Sequence, residues 1–176
     1  MIRYKQASTQ GELEQILLLQ QENLIKSLPA QEREKEGFLT VEHNLELLKE
    51  MNDECGHIIA VDNDRVVGYA LCMHPKFGES IELLKPMFVE INKIVQGKSN
   101  YMVMGQICVA KEYRGKGVFR NLYLAMKNRL PEGFDHIITE VDGKNKRSLS
   151  AHLAIGFKEL KTYVADGREW KLIVLD

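Results

Sequence analysis

Between the apolar run MVMGQICVA and the amphipathic run VFRNLYLAMKNRL stands Glu112-Tyr113-Arg114-Gly115-Lys116-Gly117-Val118-Phe119, with two glycines and two cations at a strand-to-helix seam. The chemistry such a seam can do is anion binding. A helix start exposes unpaired N–H groups and the positive end of its dipole. Glycines let the preceding loop bring several of these groups to one phosphate. From Lys111 to Arg129 there are six Lys or Arg against one acidic residue, which adds a positive field. The same residues would also serve a plain tight turn before a solvated basic helix, and a short glycine motif alone does not separate the two. There is no GxxxxGK[ST], and Arg120 stands where the third glycine of GxGxxG would be, so neither nucleotide-binding loop fits.

Other reactive side chains are scattered along the chain. Glu140 and Asp142 lie on the run HIITEVD, where each is a base candidate or an ordinary solvated carboxylate. Gln106, inside the apolar run, would orient a water or simply satisfy a core hydrogen bond. His152 sits between Leu149 and Leu153 at helical spacing, as a proton donor or as a packed imidazole. Cys108 would be a small apolar filler of a buried strand rather than a nucleophile. Cys55, Cys72 and Cys108 are odd in number and lack CxxC spacing. Neither a disulfide framework nor a metal site is therefore expected, and a reduced, cytoplasmic setting is.

The elements that must position these residues alternate along 176 residues, a length for one domain over 1–176 with a substantial core. The apolar fraction of 44%, charged fraction of 28% and net charge of -1 are those of an ordinary globular chain. That balance argues against general binding to nucleic acid or to an anionic membrane. No run approaches membrane-spanning length.

Ile2 to Ala7 reads as a strand, and Thr9-x-x-Glu12 as the capping box of a helix carrying Leu13, Ile16, Leu17, Leu24 and Leu28. SLPAQEREKEGFL reads as a loop, with QEREKE as solvated charge. Val41, Leu45 and Leu48 mark a second helix, and HIIAVDNDRVVGYALCM a hairpin turning at Asp62-Asn63-Asp64. Residues 79 to 96 carry an apolar stripe broken by Pro86, which predicts a kinked or split helix. Asn100 to Ala110 predicts a central strand with a bulge or close approach at Gly105. Asn145 to Ala154 predicts a short helix ended by Gly156. FKELKTYVA and REWKLIVLD predict a closing hairpin around Asp166-Gly167.

VAKEYRGKGVFRNLYLAM resembles the pyrophosphate loop and following helix of the GCN5-related N-acetyltransferases (GNAT). Downstream, Asn145-x-x-Ser148-x-x-x-His152-x-x-x-Gly156-Phe157 resembles that superfamily's later motif. The likeness is sharp over residues 100 to 160 and only topological before them. It implies an α/β (α+β) fold, a mixed and mostly antiparallel sheet of six to seven strands flanked by helices and splayed at its central strands. It also implies acetyl-CoA as cosubstrate, no metal, and direct attack of a neutral amine on the thioester.

Carried over by residue, the backbone of Ile107, Cys108 and Val109 would bond the pantetheine arm. Arg114, Gly115, Lys116, Gly117, Val118 and Phe119 would cradle the pyrophosphate, although the family pattern has Gly or Ala where Phe119 stands. Asn145 and Ser148 would meet the far side of the cofactor. Backbone N–H groups at Cys108 or Val109 would steady the oxyanion. His152 replaces a common general-acid tyrosine and is the acid candidate, and Glu140 is the base candidate. Gly37-Phe38-Leu39 and segment 79 to 96 would cover the acceptor. The expected acceptor is a small-molecule amine or an amino-acid-like compound, with a protein or peptide amine as the alternative and a non-catalytic acyl-CoA-binding module as the rival of another class. Monomer and homodimer are both compatible with the edge strands near the C-terminus.

Overall fold

The computed structural model describes residues 1–95 and 100–176. Strand β1 (Arg3–Gln6) leads into α1 (Gln10–Asn23), whose start carries the full capping box: Glu12 N–H donates to Thr9 Oγ1, and Thr9 N–H to the Glu12 carboxylate. The helix stops before Leu24, which is extended, so Leu24 and Leu28 do not continue its stripe.

The charged run expected as a loop is a helix, α2 (Ala30–Glu36). Its support comes from outside the segment. Glu32 accepts from Lys111 Nζ at 2.7 Å and Glu36 from Arg114 Nη1 at 2.9 Å. Helix α3 (Leu45–Glu54) follows, capped by Asn44, whose side chain accepts from Leu47 N–H. Val41 lies before it, in the connecting segment.

Strands β2 (Ile58–Asp62) and β3 (Arg65–Met73) form the expected hairpin, with Asn63 and Asp64 both at positive φ as a type I′ turn requires. Segment 79–95 is not a kinked helix. It contains the end of one short 3₁₀ turn, Pro75–Glu79, the whole of a second, Glu82–Leu84, and then α4 (Lys85–Val95). Pro86 falls in the first turn of α4, where its missing N–H costs nothing. Gln96 of the expected stretch lies outside the described residues.

β4 (Tyr101–Val109), α5 (Val118–Lys127), β5 (His136–Asp142), α6 (Lys146–Ala154), β6 (Lys158–Ala165) and β7 (Arg168–Leu175) complete the chain. The seven strands make one sheet in the order β1-β2-β3-β4-β5-β7-β6, antiparallel throughout except between β4 and β5.

That exception positions the site. β4 and β5 pair only from Tyr101 to Val103 and then part. On the other side of β4 the partner of Leu71 is Gln106 and that of Cys72 is Met104, so Gly105 is the extra residue of a bulge. The bulge bends β4 where it leaves β5, and the Thr139 hydroxyl bridges the start of the opening by donating to Met104 O at 2.8 Å.

Helices cover both faces. A Cβ at Gly68 would meet Val118 and Leu122 of α5. The next residue, Tyr69, donates to Gln106 Oε1 at 2.6 Å, which also accepts from Gln20 of α1. Adjacent strand residues point to opposite faces, so α1 and α5 lie on opposite sides of β3. The core runs through β2, β3 and β4, where Ile58, Ile59, Tyr69, Leu71 and Val103 are fully buried. Among the described residues no helix is long and apolar enough to cross a membrane.

Candidate active site

The opening between β4 and β5 continues into a cleft of about 300 Å³. One wall is β4. Ala110 N–H donates to Val67 O of β3, so by strand alternation Cys108 also points its N–H at β3, while Ile107 and Val109 turn theirs to the open side. Of the three residues expected to meet a pantetheine arm, two therefore present their N–H groups to the cleft. The Cys108 thiol is buried, and burial pushes its pKa up to about 12. It is a neutral thiol at physiological pH.

The floor is the glycine loop. Gly115 (φ 72°) and Gly117 (φ 78°) are both left-handed, and Gly117 is the N-cap of α5. Asn121 N–H is the donor that bonds back to Gly117 O, which leaves the N–H groups of Val118, Phe119 and Arg120 at an open helix end. A Cβ on Gly115 would meet nothing within 4 Å, so the loop is bare on that side. Left-handed glycines, free N–H groups and a basic surround fit a pyrophosphate. Phe119, where the family pattern has a small residue, turns its ring inward, packing edge-on against Tyr123 at 5.3 Å and His152 at 5.0 Å between centroids.

The two cations of the loop take different partners. Lys116 Nζ stands 5.5 Å over the Tyr113 ring. Arg114 is a cross-link: Nε donates to Val109 O at 3.0 Å, Nη1 to Glu36 at 2.9 Å and Nη2 to Asn23 Oδ1 at 2.7 Å. The hydrogen bond from Arg114 holds the Glu36 carboxyl below its usual range. The guanidinium thus ties the ends of β4, α1 and α2 together.

Gly37, Phe38 and Leu39 then cross the opening as a strap. Leu39 N–H donates to Asn23 O and Leu39 O accepts from Ile25 N–H at one side. At the other, Asn145 Nδ2 donates to Phe38 O at 2.9 Å while Asn145 Oδ1 caps α6 by accepting from Ser148 N–H. Gly37 (φ 82°) passes so close that a Cβ there would lie 2.9 Å from Asn145 Oδ1.

Beyond the strap lies a second cavity of about 90 Å³, which shares Phe38, Leu39, Ile107, Asn145 and Ser148 with the cleft. Leu84 and Met87 from the 79–95 segment close it from above. Glu140 lines it. One carboxylate oxygen accepts from the Tyr163 hydroxyl of β6, and the other, Oε1, is buried without a hydrogen-bond partner among the described residues. Burial raises this carboxyl to about 7, against the opposing effect of the Tyr163 hydrogen bond.

The remaining candidates are committed elsewhere. Asp142 accepts from Lys144 N–H and from Arg168. Gln106 donates to Val41 O and accepts from Gln20 and Tyr69, so it pins the approach to the strap. His152 is 1% exposed, with Nδ1 at 2.8 Å from Ser148 O and Nε2 at 2.7 Å from the Tyr123 hydroxyl. Phe119, Tyr123 and Phe157 surround the ring, and burial lowers its pKa to about 4. It is a neutral imidazole whose two nitrogens are both occupied.

Sequence reasoning passed over Asn23, Glu36 and Tyr163. Glu32 and Glu36, one turn apart ahead of a glycine, were the local sign that QEREKE is a helix with an acidic face. Nothing local marks Asn23 or Tyr163.

The site thus joins an opened sheet edge to a glycine loop suited to an anion. The model of the Acetyltransferase (GNAT) family matches residues 18–157, and the chain belongs to that family. It is an acyltransferase with acetyl-CoA as its cosubstrate. No curated protein matches the chain.

Solved structures share the fold over nearly its whole length. A chain of the NatC complex bound to Gag peptide and CoA is 17% identical, with a TM-score of 0.67 and coverage of 99% of this chain and 97% of that one. The ribosomal-protein-S18-alanine N-acetyltransferase of Escherichia coli is 13% identical, with a TM-score of 0.63 and coverage of 99% and 93%. The smu.2055 protein of Streptococcus mutans UA159 is 14% identical, with a TM-score of 0.68 and coverage of 99% and 98%.

Proposed function

We propose that the protein transfers the acetyl group of acetyl-CoA directly to the primary amine of a small molecule. The observation that carries this reading is the seam at Ile107, where a cleft fitted to the donor meets a covered cavity holding the unpartnered Glu140 Oε1. When bound, acetyl-CoA supplies the activated acyl carbon. The chain's own residues do the rest. The open-edge N–H groups of Ile107 and Val109 align the donor arm, and the helix end at Val118–Arg120 takes its charge. Glu140 removes one proton from the ammonium group so that the neutral nitrogen can attack. The carbon–nitrogen bond forms, the carbon–sulfur bond breaks, and the second amine proton ends on the released thiol. Cys108, a neutral buried thiol, plays no covalent part.

Asn145 and Ser148 hold the far wall. His152 acts as a positioning residue that joins α5 to α6 through Tyr123. His152→Phe is accordingly expected to destabilise the fold by roughly 1–3 kcal/mol, because it orphans the buried Tyr123 hydroxyl. In denaturation and steady-state assays, turnover of the folded variant should stay within about threefold of the parent, whereas a loss above roughly 100-fold would restore the acid role to this residue.

A peptide acceptor is the second reading, favoured by the Gag peptide and the ribosomal-protein alanine in the names of two structural neighbours. The roof of Leu84, Met87 and the strap favours the small molecule.

The test is thermal shift with acetyl-CoA, CoA and ATP, followed by thiol release across an amine library. A ligand at 100 times its Kd adds about 2.7 kcal/mol to stability, so both CoA species should raise Tm and ATP should not. No response to either CoA species would remove the reading.

A further inference from the structure

The lining of the acceptor cavity narrows the amine further, resting on the reading above. Its walls mix apolar side chains, Leu39, Met87 and Trp170 among them, with uncharged polar ones such as Thr40, Thr139 and Ser148. No Lys or Arg lines it among the described residues, and its one histidine, His152, has both nitrogens occupied. Its charged groups are the carboxylates of Glu140 and Asp142. The guanidinium of Arg168 is taken up by Asp142 at 3.4 Å. The cavity thus offers one free anionic oxygen to an ammonium group and no counter-charge to anything else.

From this lining we propose that the acceptor is a primary amine on an uncharged, mainly apolar body, with no carboxylate on the carbon beside the nitrogen: an alkyl or aralkyl monoamine, not a free amino acid. An α-carboxylate would enter a covered pocket without a cation and within a few bonds of Glu140. It would lose its hydration and face a like charge at the same time. An apolar body, in contrast, gains from the aliphatic walls and from Trp170.

Matched pairs test this without depending on size: 3-methylbutylamine against leucine, and 2-phenylethylamine against phenylalanine, with leucinamide and an N-terminal leucine tetrapeptide as uncharged and extended controls. The acetyl-CoA-dependent kcat/KM of each amine should exceed that of its amino acid by roughly 100-fold or more, and leucinamide should fall within about tenfold of 3-methylbutylamine. Calorimetric binding to the enzyme–CoA complex should show the same order without turnover. A second variant, Thr40→Lys, places a cation at the half-buried rim. It should raise kcat/KM for leucine about tenfold and lower it for 3-methylbutylamine.

Equal or better use of the amino acids, a preference for the tetrapeptide, or no acetylation of any of these compounds while acetyl-CoA still binds would each overturn the inference. In the first two cases the transferase reading would stand. Failure of acetyl-CoA and CoA to bind would remove that reading and the inference together.

Discussion

Glu140→Gln is expected to lower kcat by roughly 10²- to 10⁴-fold while leaving acetyl-CoA affinity within about twofold. The amide keeps the size of the side chain and can still accept from Tyr163, but its remaining arm cannot take a proton. The pH profile gives the same argument a second handle. A carboxyl raised to about 7 is protonated below that pH, and only the ionised form is a base. In the parent enzyme kcat should therefore fall tenfold per pH unit on the acid side of about 7, and this limb should vanish from the residual activity of Glu140→Gln.

Tyr163 sharpens the point, because its hydrogen bond favours the ionised carboxylate and opposes the larger effect of burial. Tyr163→Phe removes that support, so the limb should move to higher pH with little change in the alkaline plateau. Stopped-assay rates from pH 5.5 to 9 at saturating donor and acceptor would check both. A Glu140→Gln enzyme with the parent's profile would place the base elsewhere.

Gly117→Val should raise the Kd for acetyl-CoA by roughly 100-fold or more, with a smaller effect on kcat at saturation. The position has φ 78° and ψ 0° at the cap of α5. A side chain in the left-handed region costs about 1–2 kcal/mol, and β-branching makes it worse. The backbone would relieve that strain by turning the loop, which moves the free N–H groups of Val118 and Phe119 off the phosphate. Each hydrogen bond to a charged group contributes about 1.5–3 kcal/mol, so losing one accounts for roughly a further tenfold to hundredfold. Gly117→Asn is the control, because Asn tolerates the left-handed region and should bind within about tenfold of the parent. Calorimetric titration of CoA into the three proteins separates backbone strain from steric block. Equal weakening by Val and Asn would mean that crowding, and not conformation, governs the loop.

What could be read before the structure follows the range of the forces involved. The Thr9–Glu12 cap, the turns at Asn63-Asp64 and Asp166-Gly167, and the glycine loop are each decided within a few residues, and the fold keeps them. Gly105 announced a bulge because a glycine in a central strand has few other uses, and the register of β3 against β4 places the extra residue there. Helix α2 carried only a faint local sign, since its carboxylates find their cations 78 and 79 positions along the chain. The partners of Arg114 were hidden for the same reason, because Glu36 and Asn23 arrive from other elements. Pro86 was visible as a break, but the side on which the helix would lie was set by the 3₁₀ turns packed ahead of it. His152 could be located from its motif, whereas its protonation state depends on burial among the rings of Phe119, Tyr123 and Phe157.

The strap at Gly37–Leu39 carries a kinetic consequence. In the reading proposed above, donor and acceptor occupy two chambers that share Phe38, Leu39, Ile107, Asn145 and Ser148. CoA need not vacate before the acetylated amine departs, and neither product blocks the exit of the other. The cycle that such a partition favours is a ternary-complex one with random release, in which the slow step is set by how firmly each chamber holds its own product.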